Sequence, residues 1–203
     1  THRAYNRTRE GNFALNGLMG FDMYGKTAGI IGTGKIAKIL IRSLSAMGMN
    51  VLAYDVFPDL KFAEETGIRY TELNELYQKS DIISLHCPLT PQTEYIINEE
   101  SITQMKNGVM IINTGRGKLI NTYDLIKGLK SKKIGYAGFE DRSNKILDDD
   151  ILARLLSFNN VIVTSHQAFF TEEALRNIAL TTLQNVQDFA DNKVLVNEVK
   201  QEK

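Results

Sequence analysis

Tryptophan is absent from these 203 residues, proline occurs three times and cysteine once. A lone Cys87 excludes an internal disulfide and a zinc site built on cysteines. The three histidines, His2, His86 and His166, are scattered, so no metal centre is expected. Charge of one sign is missing too: 24 Lys and Arg against 24 Asp and Glu leave a net charge of zero. That balance gives no reason to expect nucleic acid or an anionic membrane as a partner. No apolar run approaches the ~18 residues of a membrane span. Residues 1–7 carry no apolar segment of signal-peptide type. The expectation is a cytoplasmic protein. Hydrophobic residues at 43% and charged ones at 24% suffice for one sizeable core.

What is present is a rhythm. Short apolar runs alternate with amphipathic ones along most of the chain. The runs at 27–31, 51–54, 68–70, 81–86, 109–112, 134–137 and 161–164 read as strands. Segments at 35–47, 61–66, 73–79, 98–105, 121–130, 150–156 and 171–192 read as helices. In the first of these, Ile36, Ile39, Leu40, Leu44 and Met47 are expected to share the buried face. Asn121 and Thr171 are the expected N-caps of the last-but-two and last helices. Residues 3–16 read as a further helix, broken by Gly17 and Gly20. Continuous apolar strands alternating with helices predict an α/β fold of the Rossmann type, a doubly wound parallel sheet covered on both faces. The expected organisation is a linker helix at 1–20, a dinucleotide-binding domain at 21–165 and a C-terminal helical segment at 166–203.

The first strand ends in Gly32-Thr33-Gly34, a helix follows at once, and Ala37 completes a G-x-G-x-x-A pattern. Asp55 closes the second strand. Strand, glycine turn, helix, strand and acid form the dinucleotide-binding fingerprint in its proper setting. Gly32 allows the tight turn, Gly34 lets backbone approach a pyrophosphate, and Ala37 allows the helix to pack closely. The plain alternative is an ordinary strand–helix turn. Gly29 to Lys35 also matches most of a phosphate-binding P-loop, but Ile36 stands where a magnesium-binding Ser or Thr is needed. Asp55 suits the two ribose hydroxyls of an adenosine and would repel a 2′-phosphate, which favours NAD over NADP. A loop acid that caps the next segment is the other reading.

Two further groups stand at strand ends, where ligands of parallel sheets collect. Arg116 lies between Gly115 and Gly117, little hindered, and its fork suits a carboxylate. His166 follows the strand at 161–164 and can serve as acid or base. Either could instead be a structural loop residue. His86, beside Cys87 and Pro88, reads as packing or pocket wall.

Four stretches together resemble the D-isomer-specific 2-hydroxyacid dehydrogenases, and most of all their bacterial fermentative D-lactate branch. They are Met23 to Ile36, Ser84 to Thr90, Gln104 to Gly117 and His166-Gln-Ala-Phe. The resemblance implies NAD as cofactor and a small 2-keto or 2-hydroxy acid as substrate, with pyruvate and D-lactate favoured. It implies backbone contacts to pyrophosphate at Lys35 and Ile36, with Asp55 on the ribose. Cys87, Pro88, Thr93, Thr114 and Gly115 would line the cofactor. Arg116 would hold the substrate carboxylate and His166 would exchange the proton. A homodimer is implied as well. Another D-2-hydroxy acid, such as a glycerate, and an NAD-sensing interaction module of corepressor type are the alternatives. The family also places a half-domain before this point and an Asp-Val-Tyr-Glu type segment after the strand at 134–137. Here Gly138-Phe139 runs directly into Glu140-Asp141-Arg142. His166 is therefore expected to lack a carboxylate partner, Glu140 is not expected to replace it, and the 203 residues alone are expected to be inactive.

Overall fold

The computed structural model describes residues 2–140 and 150–199. The chain runs α1 (His2–Arg9), β1 (Thr27–Ile31), α2 (Lys35–Ala46), β2 (Asn50–Tyr54), α3 (Leu60–Thr66), β3 (Arg69–Tyr70) and α4 (Leu73–Lys79). It continues through β4 (Ile82–Leu85), α5 (Glu99–Gln104), β5 (Val109–Asn113), α6 (Thr122–Lys130), β6 (Ile134–Glu140), α7 (Asp150–Leu156), β7 (Val161–Thr164) and α8 (Glu172–Ala190). The strands form one parallel sheet in the order β3-β2-β1-β4-β5-β6-β7. The order reverses between β1 and β4, and in open α/β sheets ligands bind at the carboxyl ends of the strands beside such a reversal.

Alternate residues of the central strands feed two cores. Ala28 and Ile30 of β1 and Ile82 of β4 face α2 and α3, where Ala37, Ile41, Leu44 and Phe62 close the layer. Ile31, Ile83 and Leu85 point the other way, into a larger core with Leu76, Ile102, Leu125 and Leu129 from α4, α5 and α6. Gly29 is what lets α4 lie so near β1. A Cβ there would stand 2.3 Å from Ser80 Oγ and 2.6 Å from Leu76 Cδ2. The helix starts are made by side chains: Asn98 and Ser101 form a capping box on α5, and Asn121 accepts from the N–H groups of Tyr123 and Asp124. Thr171 caps α8 as expected, accepting from Ala174 N–H.

Four expectations need correction. The N-terminal helix stops at Arg9 rather than running to residue 16. Gly11 takes a φ of +74°, and Asn12 N–H returns to the Arg7 carbonyl, which closes the helix end. The buried side of α2 is Ala37, Ile41 and Leu44, while Ile36, Ile39 and Met47 are exposed and Leu40 is partly buried. The strand-facing contact is made by a small residue, which a count of large apolar side chains overlooks. Strand β6 reaches Glu140, three residues beyond the expected end, because β5 and β7 both offer it ladder partners. Coverage of both faces holds for β1 and β4 but not for β7, where exposure alternates and Ile162 is half exposed.

Candidate active site at the carboxyl edge of the sheet

Register places the candidate residues in one row. Tyr54, Ile31, Leu85, Asn113, Phe139 and Val163 pair successively across six strands. The next residue on each strand path is Asp55, Gly32, His86, Thr114, Glu140 and Thr164. At ~4.8 Å per strand the row is roughly 24 Å long. It has an acid at one end, a glycine turn near the switch point, and His166 just beyond the far end.

The turn after β1 is shaped by close backbone approach. Gly32 has a φ of +90°, and a Cβ on it would lie 2.5 Å from Cys87 N. Only glycine lets the loops after β1 and β4 meet there. Gly34 caps α2 without any side-chain bond, has extended backbone, and faces open space. With exposed Lys35 and Ile36, it leaves the first N–H groups of a 12-residue helix available to an anion. The Gly115 Cβ position is 3.9 Å from the Cys87 carbonyl oxygen, so the loop after β5 joins the same wall.

Asp55 is held firmly. Its Oδ2 accepts from Thr33 N–H at 2.6 Å and Thr33 Oγ1 at 2.8 Å, and its Oδ1 accepts from Phe57 N–H at 2.9 Å. Burial pushes its pKa upward, but the bonds from Phe57 and Thr33 outweigh that and leave it below the ordinary 3.8. It is an ionised acceptor at neutral pH.

The loop after β4 is folded on itself. Thr93 Oγ1 donates to the Pro88 carbonyl at 2.7 Å and accepts from Thr90 N–H at 2.8 Å. Thr93 thus fixes the shape of this loop through its hydroxyl. A bridge between Ile97 and Ile120 and a bond from Tyr95 N–H to the Lys118 carbonyl strap this loop to the one after β5. His86 Nε2 lies 2.9 Å from Ser84 Oγ, and burial lowers its pKa, so it stays neutral. Burial pushes the Cys87 thiol up, so it is no ready nucleophile.

Asn113 turns the next loop: Nδ2 donates to the Arg116 carbonyl at 2.9 Å and Oδ1 accepts from Gly115 N–H at 3.0 Å. Thr114 and Arg116 are exposed, and among the described residues no carboxylate pairs with the Arg116 guanidinium. At the far end, His166 has a φ of +54°, a left-handed backbone that histidine adopts uncommonly. Its Nδ1 stands 3.4 Å from Glu140 Oε2, with both side chains largely buried. The expectation that His166 lacks a carboxylate is thus overturned. Extending β6 to pair with Thr164 carries Glu140 to the histidine. Asp141 to Asn144 lie outside the described residues.

The sequence pattern described as the NAD binding domain of D-isomer specific 2-hydroxyacid dehydrogenases matches residues 1–168. The chain belongs to that family. A 2-hydroxyacid dehydrogenase homolog of Haemophilus influenzae is 52% identical over 98% of this chain and 63% of its own length. The D-lactate dehydrogenase of Escherichia coli is 49% identical with the same coverage. Its apo structure superposes with a TM-score of 0.90 over 98% of this chain and 62% of that one. A D-lactate dehydrogenase of Aquifex aeolicus, solved with NAD and lactic acid, is 34% identical, with a TM-score of 0.85 over 94% of this chain and 61% of that one. The chain thus spans less than two thirds of the length of the relatives it matches.

As a 2-hydroxyacid dehydrogenase NAD-binding domain, the chain fits its nucleotide. The cradle at Gly32, which a Cβ would fill, and the free start of α2 suit a pyrophosphate. The ionised Asp55 suits ribose hydroxyls. Both were candidates on sequence, as were Arg116 and His166. Sequence reasoning missed Thr33 and Tyr70 behind Asp55, and it set Glu140 aside. The Thr33 hydroxyl inside the Gly-x-Gly turn was the one available signal.

Proposed function

We propose that this chain is the cofactor-binding part of an enzyme that interconverts D-lactate and pyruvate with NAD. The observation that carries it is the Glu140–His166 contact at the far end of the row that starts at Asp55. A bound nicotinamide supplies the hydride. Arg116, exposed and without a carboxylate partner among the described residues, holds the carboxylate of the acid and keeps the carbonyl carbon oriented. The Glu140 carboxylate beside Nδ1 keeps a proton on that nitrogen, which leaves Nε2 to exchange the second proton with the substrate oxygen. Reduction thus consumes one hydride and one proton, and oxidation returns both. The 3.4 Å separation is long for a hydrogen bond, as catalytic contacts often are before substrate closes the site.

Oxidation of NADH by the full-length enzyme, followed with pyruvate, glyoxylate and hydroxypyruvate, tests this. Fastest turnover with pyruvate and formation of the D-isomer are expected; no turnover with any 2-keto acid would overturn it. We also read the working enzyme as a cytoplasmic homodimer. Zero net charge and a single cysteine support the compartment, and the exposed apolar row Ile36, Ile39 and Met47 on α2 supports a covered outer face. Light scattering on the purified enzyme checks the mass.

A further inference from the structure

A chain of hydrogen bonds runs behind Asp55, through residues distant in sequence. Asp59 N–H donates to the Tyr70 hydroxyl oxygen at 3.1 Å, the Tyr70 O–H reaches Thr33 Oγ1 at 3.0 Å, and Thr33 Oγ1 reaches Asp55 Oδ2 at 2.8 Å. Its polarity is fixed by inventory. An ionised carboxylate only accepts, so the single Thr33 hydroxyl proton goes to Asp55. Thr33 then offers Tyr70 lone pairs alone, and the single Tyr70 proton must point at Thr33. The Tyr70 oxygen in turn takes the Asp59 N–H. The far end is anchored as well: Asp59 caps α3 through Phe62 N–H and binds Lys38 of α2. Thr33 is buried and Tyr70 is half-buried among the residues of the α2–α3 core.

We propose that Tyr70 is a positioning residue for the cofactor: acting through Thr33, it fixes Asp55 as an ionised acceptor and thereby sets the preference for an unphosphorylated adenosine ribose. The inference rests on the reading that Asp55 meets that ribose. With Oδ2 held by two donors and Oδ1 by Phe57 N–H, the carboxylate cannot swing aside for a 2′-phosphate. A phosphorylated ribose meets a fixed like charge. A relaxed Asp55 would accept ribose hydroxyls less well and tolerate the phosphate better.

The test uses the full-length enzyme and titrations of NADH and NADPH by nicotinamide fluorescence, with kcat at saturating NADH. Tyr70→Phe keeps the ring and removes the relay. It is expected to raise the Kd for NADH about three- to tenfold, lower the NADH-over-NADPH preference, and leave kcat within about twofold. Thr33→Val is expected to do at least as much, Thr33→Ser to behave as wild type, and the double variant Tyr70→Phe/Thr33→Val to be no worse than Thr33→Val alone. An unchanged Kd and preference in both Tyr70→Phe and Thr33→Val would overturn the relay. So would effects that multiply in the double variant, because Tyr70 would then act independently of Thr33. Wild-type enzyme that binds NADH while these variants do nothing sinks the relay alone. Wild-type enzyme that binds no NADH sinks the cofactor reading with it.

Discussion

In the proposed mechanism Glu140 and His166 serve the same proton in different ways, so the two can be separated experimentally. There His166 exchanges it with substrate, and His166→Asn should lower kcat by roughly 10²–10⁴-fold. Glu140 is proposed to act only through the ring, and Glu140→Ala should cost less, about ten- to a hundredfold, with the KM for NADH unchanged. Steady-state kinetics with pyruvate decide; full activity in Glu140→Ala would show the 3.4 Å contact to be incidental. His86 makes a prediction about stability instead. Burial holds its pKa below the ordinary 6.5, so the unfolded chain takes up a proton there before the folded chain does. Its neutral form therefore supports the fold fully above about 6.5, and that support is lost as pH falls through the folded pKa. Wild type should lose thermal stability as pH falls below about 6.5 more steeply than His86→Gln, measured by calorimetry. Equal slopes would mean the imidazole is as protonatable folded as unfolded.

At the scale of elements, a helix and a strand are joined most tightly where one of them has no side chain. Gly29→Ala would put a methyl 2.3 Å from Ser80 Oγ, 2.6 Å from Leu76 Cδ2 and 2.9 Å from Leu76 Cγ, too close to absorb without moving α4. A loss of about 1–3 kcal/mol is expected in denaturant unfolding, and a loss below ~0.5 kcal/mol would show that α4 can shift freely. Asn121→Ala, which removes the acceptor for two N–H groups of α6, should cost about 0.5–2 kcal/mol in the same assay. The elements themselves were legible because their signals are local: apolar runs, glycine breaks and capping side chains. The buried side of α2 was not, since Ala37 makes the key contact with little hydrophobic weight. The same division holds in the site. Gly32, Asp55, Arg116 and His166 stand at strand ends, where chain order and parallel topology bring ligand groups together. Tyr70 bonds a residue 37 positions away, and nothing local in the sequence marks that pairing. Glu140 depended on how far β6 extends, which its pairing with β7 decides.

On the scale of the whole molecule, the sheet and α8 differ sharply in what holds them. The central strands bury nearly every side chain, with Ile30, Ile83, Leu85 and Ile111 all 0% exposed. Helix α8 is 19 residues long and buries none. Leu175, Ile178, Val186 and Phe189 fall on one stripe of it at helical spacing, yet they are between 41% and 72% exposed. A single amphipathic helix without a packed face is marginal in water, because tertiary contact supplies most helical stability. The Thr171 cap contributes only about 0.5–2 kcal/mol toward it. In the 203-residue chain by itself, α8 should therefore open locally, independently of the sheet. Hydrogen-exchange mass spectrometry is expected to show α8 amides exchanging at least about a hundredfold faster than those of β1, β4 and β5. A surface that covers the stripe, from further chain or a second subunit, would bring the two classes together. Protection of α8 equal to that of β4 in the isolated chain would mean that the helix needs no such cover, and the apolar stripe would then require a different explanation.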